Sequence, residues 1–184
     1  MNIYDFKVLD KNNKEVSLSE FKGKTLLIFN SATHCGFTPT LDELEKLYEK
    51  YHSKGLELLE FPCNQFKEQA PESIGEIDHI CSLKFNTKYL RFNKVDVNGE
   101  NASPLFKYLE ENTTFEGFDP KHELTPILND LMKEMGNDKD KHSIKWNFTK
   151  FLISKEGNIL KRYEPTTPIS EIDKDLDELL NNID

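Results

Sequence analysis

Hydrophobic and polar positions alternate weakly over residues 3–8 and again over 14–18, around the turn-rich tetrad Asp10-Lys11-Asn12-Asn13. That pattern predicts an opening β-hairpin. Thr25-Leu26-Leu27-Ile28-Phe29-Asn30 is a short continuous apolar run, as expected of a strand buried on both faces. The period then becomes helical, with Leu41, Leu44, Tyr48 and Tyr51 on one face. Thr38, Pro39 and the pair Thr40 and Glu43 mark the start of that helix, and Gly55 its end. Residues 56–61 predict a second strand, and helical spacing returns at Ile74, Ile77, Cys81 and Phe85. A third strand is expected over 92–97, closed by Asn98-Gly99, and helices near 104–111 and 124–135. The stretch 112–145 reads as a long surface excursion. Residues 148–154 and 159–163 flank Lys155-Glu156-Gly157-Asn158, a hairpin turn. Behind Thr167 and Pro168, a last helix aligns Ile169, Ile172, Leu176 and Leu179.

Alternating strands and helices followed by an antiparallel hairpin imply an α/β fold, a central mixed sheet covered by helices on both faces. That order is the thioredoxin-like plan with an N-terminal β-hairpin added. The 184 residues are one domain's worth, so 1–184 is read as a single domain. Against 24 basic residues stand 33 acidic ones, a net charge of −9. Such a surface argues against nucleic acid as a general partner and against anionic membranes. No apolar run reaches the roughly 18 residues of a membrane-spanning helix. The start lacks the basic and apolar regions of a signal peptide, so a cytoplasmic location is expected.

Three cysteines, Cys35, Cys63 and Cys81, follow no regular spacing and do not form a secreted disulfide framework. In a reducing compartment they are free thiols, and any disulfide among them would be transient and catalytic. Cys35 falls between the C-terminal end of a buried strand and a helix start, the edge where α/β sheets gather their active sites. A helix N-terminus there favours an anion and lowers a thiol's pKa, and thiolate is the nucleophilic form. Gly36 lets the backbone turn closely beside the sulfur. A buried structural cysteine remains the alternative on position alone. His34 beside Cys35 is read as solvent-facing. The five histidines lack the paired spacing of a zinc site, and there is no P-loop or dinucleotide fingerprint, so neither metal nor cofactor is expected.

The segment Asn30-Ser31-Ala32-Thr33-His34-Cys35-Gly36-Phe37-Thr38 resembles the peroxidatic loop of glutathione peroxidases. Leu59-Glu60-Phe61-Pro62-Cys63-Asn64-Gln65-Phe66, with Gln69 following, is similar to their second signature, and Trp146-Asn147-Phe148-Thr149-Lys150-Phe151-Leu152 to their third. Residues 94–104 and Arg162–Pro168 also resemble family segments, so the likeness spans the chain in order. The resemblance implies a thiol peroxidase whose catalytic tetrad is Cys35, Gln65, Trp146 and Asn147. The physics suits the roles, because Gln, Asn and Trp offer neutral N–H donors that stabilise a thiolate and a departing oxygen. It also implies Cys81 as the resolving cysteine, although its helical spacing equally fits a small core residue. Cys63 is read as structural. After Gln69 this chain has Ala70-Pro71-Glu72 where the family more often has Glu-Pro-Gly, so a changed loop shape is expected.

The implied cycle runs from a Cys35 sulfenic acid through a disulfide with Cys81 to reduction by a dithiol such as thioredoxin. Glutathione on a one-cysteine enzyme is the alternative reductant, including the case in which selenocysteine, common at this place in the family, is native. A peroxide sensor passing its oxidation to a client protein, or a binding module without catalysis, are readings of another class. Peroxide preference and oligomeric state are left open by the sequence.

Overall fold

The computed structural model describes residues 1–181. β1 (Lys7–Leu9) and β2 (Glu15–Ser17) form the expected antiparallel hairpin. Ile3–Asp5 does not join it and makes a 3-10 turn instead. There the Asn2 side chain accepts from Tyr4 N and the Asp5 side chain accepts from Asn2 N, local polar bonds that outcompete extension.

Five further strands make the main sheet: β3 (Thr25–Ser31), β4 (Leu56–Pro62), β5 (Leu90–Arg91), β6 (Lys150–Ile153) and β7 (Ile159–Tyr163), in the order β5-β4-β3-β6-β7. β3, β4 and β5 run parallel, so each step needs a crossover, supplied by α1 (Thr40–Tyr51) and α2 (Ile74–Phe85). β6 and β7 pair antiparallel, with β6 beside β3. This is the mixed sheet that the element order predicts. α1 ends in a 3-10 turn that closes on Gly55 at φ +97, a conformation that favours glycine.

One row of the register explains much of the architecture. Arg91, Glu60, Phe29, Lys150 and Tyr163 lie side by side across all five strands, and neighbours in a row share a face. Arg91 Nη1 donates to Asp78 of α2, and Tyr163 Oη donates to Asp175 of α5 (Ile169–Asn181). Lys50 and Tyr51 of α1 hold Asp173 of α5. The opposite face presents Phe61 and Phe151, against which Phe106 of α3 (Pro104–Glu111) packs edge-on at 5.3 and 6.5 Å between centroids. Both faces are thus covered.

The third expected strand is displaced. The chain pairs with β4 only at Leu90 and Arg91, and 92–97 is not regular strand. Phe92 N still bonds Glu60 O, but Asn93 N turns to Leu9 O of the hairpin, and pairing resumes only at Val95 N with Pro62 O. Lys94 N, the next donor a parallel ladder would send to β4, bonds the Asn93 side chain at 2.8 Å instead. The excursion 112–145 contains α4 (Thr125–Glu134) and is less superficial than expected. Phe118, Leu128, Met132 and Ile144 bury apolar surface in the core. Among the described residues no helix is long and apolar enough to cross a membrane.

Candidate active site

β3 delivers the chain to the C-terminal edge of the sheet, and eight residues of turns precede α1. The side chain of Thr38, expected to mark the start of the helix, serves these turns. Its Oγ1 accepts from Cys35 N at 3.0 Å and donates to Ala32 O at 2.8 Å. α1 itself begins behind Pro39 without a side-chain cap. Gly36 is not required by the turn. An added Cβ would meet only Leu124 Cδ1 at 3.5 Å, an ordinary contact, and its φ is not positive.

Cys35 is 6% exposed. Its Sγ accepts from Phe37 N at 3.4 Å and from Trp146 Nε1 at 3.3 Å, and the Asn147 side chain lies near enough to favour the anion as well. Burial pushes the Cys35 pKa up, and it outweighs the pull of Phe37 N, Trp146, Asn147 and the Lys150 charge. The depressed value expected from a helix N-terminus is therefore corrected. Residues 36–39 separate the sulfur from α1, and only the Phe37 N–H of this turn reaches it. The reduced site is a sheltered thiol surrounded by groups that favour its anion.

Trp146 and Asn147 are held by Asn30 at the end of β3. Asn30 Nδ2 donates to Trp146 O at 3.3 Å, Asn30 O accepts from Phe148 N at 2.8 Å, and Asn30 Oδ1 accepts from Thr149 N at 3.1 Å. Phe148 sits at φ +64, unusual for a bulky side chain. A conformation of this kind costs about 1–3 kcal/mol and persists where its surroundings fix it.

Asn147 Nδ2 also donates to Gln69 Oε1 at 3.0 Å. Two successive left-handed residues, Lys67 and Glu68, turn the chain toward Gln69, whose carbonyl accepts from Thr33 N and His34 N. Glu72 takes hydrogen bonds from Thr33 Oγ1 at 2.7 Å and from exposed His34 at 2.6 Å. Burial would raise the Glu72 pKa, but these bonds hold it below the ordinary carboxylate range. Gln69 and Glu72 thus clip the second signature onto the Cys35 loop. Gln69 stood in the quoted signature without a role, and only the fold reveals its contact.

Gln65 is placed differently. Its Oε1 accepts from Val97 N at 2.7 Å and Asn98 N at 3.0 Å, and its Nε2 donates to Asn98 O at 2.8 Å. Among the described residues no hydrogen bond joins it to Cys35, so the structure brings together three of the four tetrad residues. One of the two Nε2 hydrogens is left over by these bonds.

The other cysteines are deeply buried free thiols. Burial pushes Cys63 up to about 11 and Cys81 up to about 12. For Cys81 the nearby Glu60 carboxylate adds to the effect. Cys81 lies in α2, of which only it and Ile77 are fully buried.

A buried thiol at this edge, ringed by neutral donors on a thioredoxin-like sheet, defines a thiol-dependent oxidoreductase. The glutathione peroxidase family model matches residues 3–110. The glutathione peroxidase homolog of Neisseria meningitidis serogroup B is 44% identical over 183 residues, covering 98% of this chain and 100% of the relative. The glutathione peroxidase of Lactococcus lactis is 39% identical over 180 residues, 98% of this chain and 100% of that one. The crystal structure of T. cruzi GPX1 superposes with a TM-score of 0.69 at 32% identity, covering 98% of this chain and 97% of that chain. A Chlorobium tepidum thiol:disulfide interchange protein, 14% identical over 95% of this chain and 92% of that one, reaches a TM-score of 0.59 and shows the fold alone. The chain belongs to the glutathione peroxidase family. It is a thioredoxin-fold thiol peroxidase, with a peroxide as substrate and a thiol as reductant.

Proposed function

We propose that Cys35 is the peroxidatic residue, acting on hydrogen peroxide and organic hydroperoxides. Its thiolate attacks the nearer peroxide oxygen; the S–O bond forms, the O–O bond breaks, and the departing oxygen takes a proton to leave as water or alcohol. The observation that carries this reading is the pair of neutral donors on Sγ, Phe37 N and Trp146 Nε1, with the Asn147 amide beside them. Neutral donors favour the anion without a competing charge and can turn to the departing oxygen. Gln65 completes the tetrad in this reading through its remaining Nε2 hydrogen.

Cys81 then resolves the sulfenic acid: its sulfur bonds to Cys35 Sγ and the sulfenic hydroxyl leaves as water. A dithiol reductant of the thioredoxin type opens the disulfide by exchange, returning two thiols and becoming a disulfide itself. A thiol near pKa 12 inside a helix cannot attack where it lies, so α2 must open locally. Support comes from the light anchoring of α2 on Ile77 and Cys81, against five buried residues in α1. The cycle fits a reducing cytoplasm. The test is NADPH-coupled peroxide reduction with thioredoxin and its reductase, or glutathione and its reductase. Cys35→Ser is expected to abolish turnover, and Cys81→Ser to abolish only the thioredoxin-driven reaction. Equal glutathione turnover with and without Cys81 would make this a one-cysteine peroxidase.

A further inference from the structure

Lys150 is fully buried, and its Nζ has no hydrogen-bond partner among the described residues. An isolated ammonium in the interior is costly, so its surroundings have to offset it. In its register row it lies between Phe29, which offers no acceptor, and Tyr163, whose hydroxyl is engaged by Asp175. The charged groups near enough to act on it are Glu164, Glu43 of the first turn of α1, and Cys35. Glu43 is exposed and screened by solvent. Glu164 is buried, has one carboxylate oxygen unpartnered, and is held at the other by Arg162 Nε at 2.8 Å, with Lys145 also acting on it. Lys150 is the charged group that acts most on Cys35, and it opens β6 directly after the turn, stapled by Asn30, that carries the Trp146 donor.

We propose that Lys150 is a positioning residue for the Cys35 thiolate, a buried cation that favours the anion without touching the peroxide, and that Glu164 sets how much of its charge the sulfur feels. When Cys35 is a thiol, Glu164 alone compensates the ammonium from within the protein. When Cys35 ionises, the ammonium gains a second counter-charge, so the two ionisations support each other. Lys150 falls to about 8 as burial outweighs its anionic neighbours, so it still carries its proton at pH 7. This assignment rests on Cys35 as the peroxidatic residue, but its test does not use peroxide.

The pH dependence of iodoacetamide alkylation at Cys35, read by mass spectrometry of its peptide, measures the thiolate directly. Lys150→Met is expected to slow alkylation roughly tenfold at pH 7, where Lys150 still carries its proton, and to change it little above pH ~9, where it does not. Lys150→Arg, which stays charged, should keep the rate at pH 7. Glu164→Gln should also slow alkylation at pH 7, since the buried ammonium loses its main counter-charge and with it part of its protonation. Arg162 keeps its bonds to His142 O and Ser143 O in that variant, so the local structure retains an anchor. A loss confined to the lower pH range is the signature, because a merely structural role would change the rate at every pH. An unchanged rate at pH 7 in folded Lys150→Met, or an equal loss at low and high pH, would overturn the assignment. If Lys150→Met does not fold, Glu164→Gln decides alone, and an unchanged rate at pH 7 would overturn it. Loss of the peroxidatic reading would appear separately, as turnover surviving in Cys35→Ser.

Discussion

At the residue scale, Trp146 does for Cys35 what a charged donor could not do cheaply in a buried site. Its indole N–H reaches Sγ at 3.3 Å and stays neutral at every pH. Burial raises the thiol, so at pH 7 only a small fraction is ionised, and each lost donor reduces it further. Trp146→Phe keeps most of the packing against Phe66 and removes the donor. Peroxide consumption in rapid mixing is expected to slow about 10-fold or more at pH 7, and by less at pH 9, where ionisation is already further advanced. An equal loss at both pH values would mean that the indole acts on the peroxide or on packing, and not on the thiol's ionisation. Cys35, Trp146 and Asn147 were legible because their motifs stand out in sequence. Gln69 and Glu72 were not, since each acts through a tertiary contact: a turn of two left-handed residues and a loop-to-loop clip. The depressed thiol pKa was misread because strand-to-helix order shows where a helix begins, but not how far the intervening turns hold the sulfur from it.

At the scale of elements, α2 is tied to the sheet and to the N-terminal hairpin by ions as well as by the packing of Ile77 and Cys81. Asp78 accepts from Arg91 Nη1 at 2.8 Å and from Lys11 Nζ at 3.0 Å. Arg91 in turn is forked onto buried Glu60, which also accepts from Ser31 and Tyr89. Burial would raise Asp78, yet the bonds from Lys11 and Arg91 hold it below the ordinary range. A carboxylate with a depressed folded pKa contributes stability above its unfolded value and loses it as pH falls through the folded one, so this latch is closed at neutral pH. Asp78→Asn weakens it without leaving Glu60 unpaired. Alkylation of Cys81 is expected to speed up roughly three- to tenfold, with faster hydrogen exchange across 74–85. Unchanged exchange would show that Ile77 and Cys81 suffice to hold the helix. The helix itself was legible from its spacing, and so were the buried strands, whose apolar runs leave no competing reading. The misplaced third strand was not, because the Asn93 side chain takes the Lys94 N–H that would have continued the ladder to β4, a local competition that apolar spacing does not show.

At the scale of the whole molecule, stability against pH turns on where the acidic excess is buried as much as on its net value of −9. Glu110 of α3 is 9% exposed and accepts from Ile144 N at 2.9 Å, fastening the end of the 112–145 excursion to the body of the protein. Burial pushes its pKa up to about 7, against the pull of Ile144 N–H, Arg162 and Lys145. The unfolded chain loses this proton near the ordinary value of 4.5, while the folded protein keeps it to about 7. Between those values the folded state binds more protons, so stability falls as pH rises through the window. The shift sets an upper bound of about 3 kcal/mol, and solvent at the exposed edge of the side chain reduces it to about 1–2 kcal/mol. Glu110→Gln keeps an oxygen for Ile144 N and removes the titration. Urea unfolding at a series of pH values should give similar stabilities for the two proteins near pH 4.5 and a growing advantage for the variant toward pH 7. Parallel curves would place the excess proton elsewhere. A variant less stable at every pH would mean that the carboxylate charge, through Arg162 and Lys145, contributes more to holding the excursion than its burial costs.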